Sequence, residues 1–195
     1  MREGNCQRQT SETDIHVEVA LDGSGNIRCD TEVGFFNHLL NAFALHGGLD
    51  LKVQARGDLE VDAHHLIEDV GICLGRAFSR AFDAEPVQRF GQAVIPMDDA
   101  LVGVYVDVGG RSYLGYHLDL PPRSWGCFHS DHFREFLRAF VAHSKTTLHV
   151  KREAGSDCHH LLEAASKALG RSLKQATLKL DSEQNIPSTK GSLRC

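Results

Sequence analysis

Two short segments of this 195-residue chain carry the residue types best able to grip a metal ion, His64-His65-Leu66-Ile67-Glu68 and His159-His160-Leu161-Leu162-Glu163. On a helix, residues i and i+4 share a face, whereas i+1 is rotated by about 100°. His64 and Glu68 can therefore hold one ion together, as can His159 and Glu163, while His65 and His160 point elsewhere. Imidazole nitrogens beside a carboxylate suit a borderline divalent cation such as Mn, Zn, Fe or Co. If the two segments face each other across a pseudo-twofold axis, each clamp can borrow the odd histidine of the other. The expected sites are then His64, Glu68 and His160 on one side and His159, Glu163 and His65 on the other, with His38 a candidate further ligand. The bland alternative for one HHxxE segment is a solvated helix face. The order is not HExxH and no GxSxG elbow is present, which disfavours zincin and serine-hydrolase chemistry.

The elements that must position these groups also recur. The two histidine pairs lie 95 residues apart, close to half the chain, among 12 histidines in all. Ahead of the first pair come a helix-periodic segment (Phe35, Phe36, Leu39, Leu40, Phe43, Leu45) and an alternating run from Leu49 to Val53. Ahead of the second come Phe133, Phe136, Leu137, Phe140 and Val141, then Thr147 to Val150. A helix follows each pair, to about Phe82 and about Ala176. Thr13 to Leu21 reads as a strand closed by an Asp22-Gly23 turn, and Ala93 to Val106 and Arg111 to Leu120 read as strands around Gly109-Gly110. The pattern predicts an α+β fold of two similar sheet-plus-helices halves from an internal duplication, residues 1–92 and 93–180, with helices packed between the halves. The polar tail, 181–195, is expected to follow the surface or a neighbouring subunit.

Composition narrows the function classes. With 42% apolar residues and a net charge of −5, the chain has the means to bury a core and no electrostatic reason to bind nucleic acid. Its longest apolar stretch, Ala100 to Val106, has 7 residues, against roughly 20 for a membrane span. The first ten residues have no apolar core, so neither a signal peptide nor an anchor is expected. Six cysteines without a CxxC pair read as reduced thiols of a cytoplasmic protein.

Taken in order, several motifs resemble the imidazoleglycerol-phosphate dehydratase family over almost the whole chain. They include Arg8 to Thr13, Gly34-Phe35-Phe36-Asn37-His38, His46-Gly47-Gly48, Gly57-Asp58-Leu59 and Asp62 to Asp69. Arg89-Phe90-Gly91, Pro96 to Ala100, Asp107 to Arg111, His159 to Ala164 with Lys167, and Pro187 to Gly191 complete the series. The resemblance implies a lyase of histidine biosynthesis that turns imidazole-glycerol phosphate into imidazole-acetol phosphate. It implies two Mn²⁺ per active site and a large symmetric homo-oligomer with sites between subunits. By the same resemblance the metal ligands fall on His38, His64, His65, Glu68, His159, His160 and Glu163. Glu12 is the expected general base, with His46 and Glu68 as competitors, and the substrate is expected against these three and His38, His64 and His159. Arg89, Arg111 and Lys167, with Ser188, Thr189 and Lys190 of the tail, are implied as phosphate ligands.

The chemistry explains the need for metal. The proton to be removed lies beside a hydroxyl-bearing carbon, not a carbonyl, so direct enolisation is unavailable. A ring held as imidazolate can expel hydroxide from the adjacent carbon, giving a diazafulvene-like species, before a base takes the neighbouring C–H proton. Two positions depart from the family pattern. Asn37 stands where an Asp is common, and counting from Leu148-His149 puts Glu135 where many relatives carry a metal-binding His, with His132 as competitor. Two rival readings are a metal-dependent hydrolase and a catalytically weakened, metal-binding structural shell.

Overall fold

The computed structural model describes residues 2–82 and 86–180. β1 (Glu3–Gln9) and β2 (Thr13–Ala20) form an antiparallel pair in which Ile15, Val17 and Val19 turn inward and Asp14 and Glu18 face out. β3 (Ile27–Asp30), α1 (Gly34–Gly47), β4 (Asp50–Gly57) and α2 (His64–Ala81) complete the first half. The second begins with β5 (Phe90–Met97), β6 (Ala100–Asp107) and β7 (Tyr113–His117). A small hairpin, β8 (Ser124–Trp125) and β9 (Phe128–His129), precedes α3 (Ser130–Ser144), β10 (Thr147–Ala154) and α4 (Cys158–Ala176).

The sheets have equivalent strand orders, β1-β2-β4-β3 and β5-β6-β10-β7. In each, two antiparallel pairings are followed by one parallel pairing, β3 with β4 and β7 with β10. This is the α+β pair of similar halves that the repeat predicts. Four details differ from the sequence expectation. Ala93 to Val106 is a hairpin and not one strand, because Asp98-Asp99 turns the chain between β5 and β6. The Gly109-Gly110 turn does not join neighbouring strands, since β10 lies between β6 and β7. Leu45, on the α1 periodicity, is 63% exposed. β5 opens the second sheet at Phe90, slightly before the expected division at 92/93.

α2 covers the first sheet and α4 the second, while the halves meet through two helix pairs, α1 with α4 and α2 with α3. Both pairs approach until backbone meets backbone. A Cβ on Gly170 of α4 would lie 2.2 Å from the Phe43 carbonyl oxygen, and one on Gly75 of α2 would lie 2.6 Å from that of Phe140. Around these contacts Phe36, Phe43, Phe133 and Phe140 are buried, each contributing roughly 1.5–3 kcal/mol of transfer free energy.

Gly75→Ala and Gly170→Ala are each expected to lower stability by about 1–3 kcal/mol, because a Cβ must push the facing helix away. Gly34→Ala, with open space at its Cβ, should be neutral or mildly stabilising. Urea unfolding of the three variants tests the contrast.

Candidate metal centre and active site

Acids at the helix starts aim the histidine pairs. The Asp157 side chain accepts the backbone N–H groups of His159 and His160 at 2.8 and 3.1 Å, and Asp62 accepts that of His64 at 2.7 Å. These aspartates are also 95 residues apart, Asp157 as the N-cap of α4 and Asp62 one residue before the N-cap of α2.

The clamp on α4 is assembled. His159 Nε2 and His38 Nε2, the latter arriving from α1, lie 3.2 and 2.9 Å from the same Glu163 oxygen. One donor atom from each of the three falls within 4.8 Å of the others. This set of two imidazoles and a carboxylate fits a borderline divalent cation. Glu163 is only 12% exposed on its side chain, and Lys167 pairs with its other oxygen at 2.8 Å. Burial works against the charge, yet the hydrogen bonds from Lys167 and His38 prevail and hold the carboxyl down at about 2. Phe35 stands edge-on to His159 and stacks on Trp125 with ring centroids 4.3 Å apart, roofing the clamp with aromatic carbon.

The clamp on α2 is looser. His64 Nε2 lies 3.8 Å from Glu68, and the neighbour from α3 is an ion pair, Glu135 with Arg138 at 2.7 Å. Arg138 also approaches Glu68 at 3.8 Å. The His132 ring is 6.2 Å from that of His64, and its Nδ1 accepts the backbone N–H of His129.

His65 and His160 turn off the clamp faces, as the helical rotation requires, but neither reaches the other half's clamp within the chain. His65 Nδ1 meets Asp58 at 3.0 Å, with Glu12 at 3.9 Å, and His160 Nδ1 meets Asp99 at 2.8 Å. Each carboxylate holds the Nδ1 proton and leaves Nε2 as the ring's other nitrogen, the arrangement by which second partners orient ligating histidines. These hydrogen bonds raise both histidines above the ordinary range. Asp58, Asp62, Asp99 and Asp157 went unassigned in the sequence reading, although the recurrence of Asp62 at Asp157 was visible there.

Glu12 owes its place to a buried carboxylate behind it. Asp69 accepts hydrogen bonds from Thr13 and, at 2.9 Å, from Arg8, tying the β1–β2 turn to α2. His46 ends α1 facing α4; burial, then Lys167 and Arg171, lower its pKa. Arg89 and Arg111 converge on Asp107, at 2.8 and 4.0 Å, far along α4 from Lys167. Asn37 accepts from the Thr31 backbone and hydroxyl at 3.0 and 2.7 Å, so it fastens a loop and leaves His38 to Glu163. Ser188, Thr189 and Lys190 lie outside the described residues.

In chelator-treated protein, His65 and His160 should titrate above the usual histidine pKa of about 6.5 and His46 below it, read from imidazole NMR shifts. Since the first two are raised on folding, their stabilisation is complete below the unfolded value. It is lost as pH climbs through the folded one.

Comparison with known proteins identifies the family and the fold. Residues 31–173 match the family description "Imidazoleglycerol-phosphate dehydratase". Proteins of that name from Moorella thermoacetica and Thermoanaerobacter pseudethanolicus are 52% and 50% identical to it, covering 98% and 99% of this chain and 98% and 100% of their own. The fold is similar to the dehydratase structures from Pyrococcus furiosus (TM-score 0.83, 38% identity, 95% of this chain and 99% of that one) and Staphylococcus aureus (0.82, 33%, 91% and 99%). The chain belongs to the imidazoleglycerol-phosphate dehydratase family.

Proposed function

We propose that this chain dehydrates D-erythro-imidazole-glycerol phosphate to imidazole-acetol phosphate, a carbon–oxygen lyase step of histidine biosynthesis, using two Mn²⁺ per active site. The observation that carries the reading is the His38–His159–Glu163 cluster, in a chain that matches this dehydratase family along its whole length. The ions supply Lewis acidity and a template for the imidazole ring.

The chain's own residues divide the remaining work. His38, His159 and Glu163 hold one ion, and His64, Glu68 and Glu135 the other. His65 and His160 are fixed through Nδ1 by Asp58 and Asp99, with Asp98 3.5 Å from Nε2 of His160, and complete the ion sites of neighbouring copies in a large symmetric homo-oligomer with sites between subunits. The phosphate ligands argue the same way. Arg89 donates its backbone N–H to Ala176 at the end of α4, whereas Lys167 lies nine residues earlier, roughly 13 Å along the helix axis. That backbone separation favours a phosphate held by Arg89 of one copy and Lys167 of another. Glu12, exposed at its turn and beside His65, removes the C–H proton, with His46 and Glu68 the rival bases. No helix among the described residues is long and apolar enough to cross a membrane, and we place the enzyme in the cytoplasm, where its scattered thiols stay reduced.

Chelation is expected to abolish turnover of imidazole-glycerol phosphate and added Mn²⁺ to restore it. Absence of turnover in Mn²⁺-replete protein overturns the reading, and full turnover after verified metal removal overturns its metal dependence. Glu12→Gln should lower kcat by about 10²–10⁴-fold with little change in KM, as expected for loss of a general base. A wild-type kcat would pass the role to His46 or Glu68.

A further inference from the structure

Aligning the halves shows where the duplicated module diverges. α1 and α3 end at left-handed caps, Gly48 and Lys145, which are 97 residues apart. In that register Phe36, Leu40 and Phe43 match Phe133, Leu137 and Phe140, all buried. The same register sets His38 against Glu135 and Asn41 against Arg138. The α1 helix therefore offers an imidazole to the α4 clamp, whereas α3 offers the α2 clamp a carboxylate together with a cation that its counterpart lacks.

That cation stands between two ligand candidates. One guanidinium nitrogen of Arg138 lies 2.7 Å from Glu135 and 3.8 Å from Glu68. Lys167 behaves differently in the α4 clamp, since it takes one Glu163 oxygen and leaves the other to His38 and His159. We infer that Arg138 is a built-in competitor of the divalent ion at the His64–Glu68–Glu135 clamp, displaced when the ion binds, so that this clamp fills after the His38–His159–Glu163 clamp. The inference rests on the metal-dependent reading above and extends it to the order of loading.

His132 does not relieve the competition. Its Nδ1 accepts the His129 N–H at 3.1 Å, so the neutral ring carries its proton on Nε2, leaving no lone pair there for a metal. The anionic donors are the two carboxylates, and Arg138 engages both. Its side chain is 62% exposed, so it can swing into solvent once an ion replaces it. Two carboxylates and one imidazole suit an oxygen-preferring ion such as Mn²⁺.

The test is a Mn²⁺ titration of full-length, chelator-stripped protein, with free Mn²⁺ read from its solution EPR signal. Wild type should show two affinity classes, and Glu135→Gln should erase the weaker one alone. Arg138→Asn should tighten the weaker class at least fivefold and leave the tighter class unchanged, while Arg138→Lys, which keeps the charge, stays near wild type. Two equal classes in wild type, or a weaker class unchanged or loosened by Arg138→Asn, overturns the inference and leaves metal dependence standing. Wild-type protein that takes up no Mn²⁺ overturns both.

Discussion

The approach of α4 to α1 and of α2 to α3 at backbone distance is the constraint from which the candidate site follows. Gly170 and Gly75 leave no side chain between helix surfaces, so the Phe43 and Phe140 carbonyls come within reach of the opposite helix backbone. A wider crossing would carry His38 away from Glu163, because the two are contributed by different halves. Each clamp thus needs its own helix for the i, i+4 pair and the facing helix for its third group. The interface between the halves is therefore both the core and the frame of the site.

Duplication followed by divergence accounts for much of the rest. Strand order, pairing directions, helix caps and helix-contact glycines recur, as befits features that fix backbone positions. Side chains around the clamps are where the copies part. Phe35 covers His159 with carbon, while His132 occupies the matching position beside His64. The connection from β7 to α3 carries the β8–β9 hairpin, whereas β3 reaches α1 through only three residues. Packing demands preserved the scaffold, and the chemistry at its two ends became unequal.

Much of this was legible from residue order. The doubled HHxxE segments gave the clamp faces because helical rotation is fixed by backbone geometry, and alternation in Ile15, Val17 and Val19 gave a strand. The break at Asp98-Asp99 was missed although its signal was present, since two adjacent aspartates, the first left-handed, follow Pro96 within an otherwise apolar run. The partner of His38 was not legible, because it depends on a contact between residues 125 apart that no local pattern encodes. The pairing of odd histidines with the opposite clamp assumed that the halves meet through those side chains. Within the chain, nearer carboxylates on the loops, Asp58 and Asp99, hold them instead. Glu135 followed from register counting against the pattern of the family it resembles, but its tie to Arg138 required the third dimension.

The β8–β9 hairpin brings an optical consequence. Trp125, the chain's one tryptophan, stacks on Phe35, which in turn leans on His159. Its indole also meets the His159 ring edge-on with centroids 6.5 Å apart, and no second indole contributes a background. Tryptophan emission of the unlabelled protein is thereby tied to the local state of a single corner of the molecule.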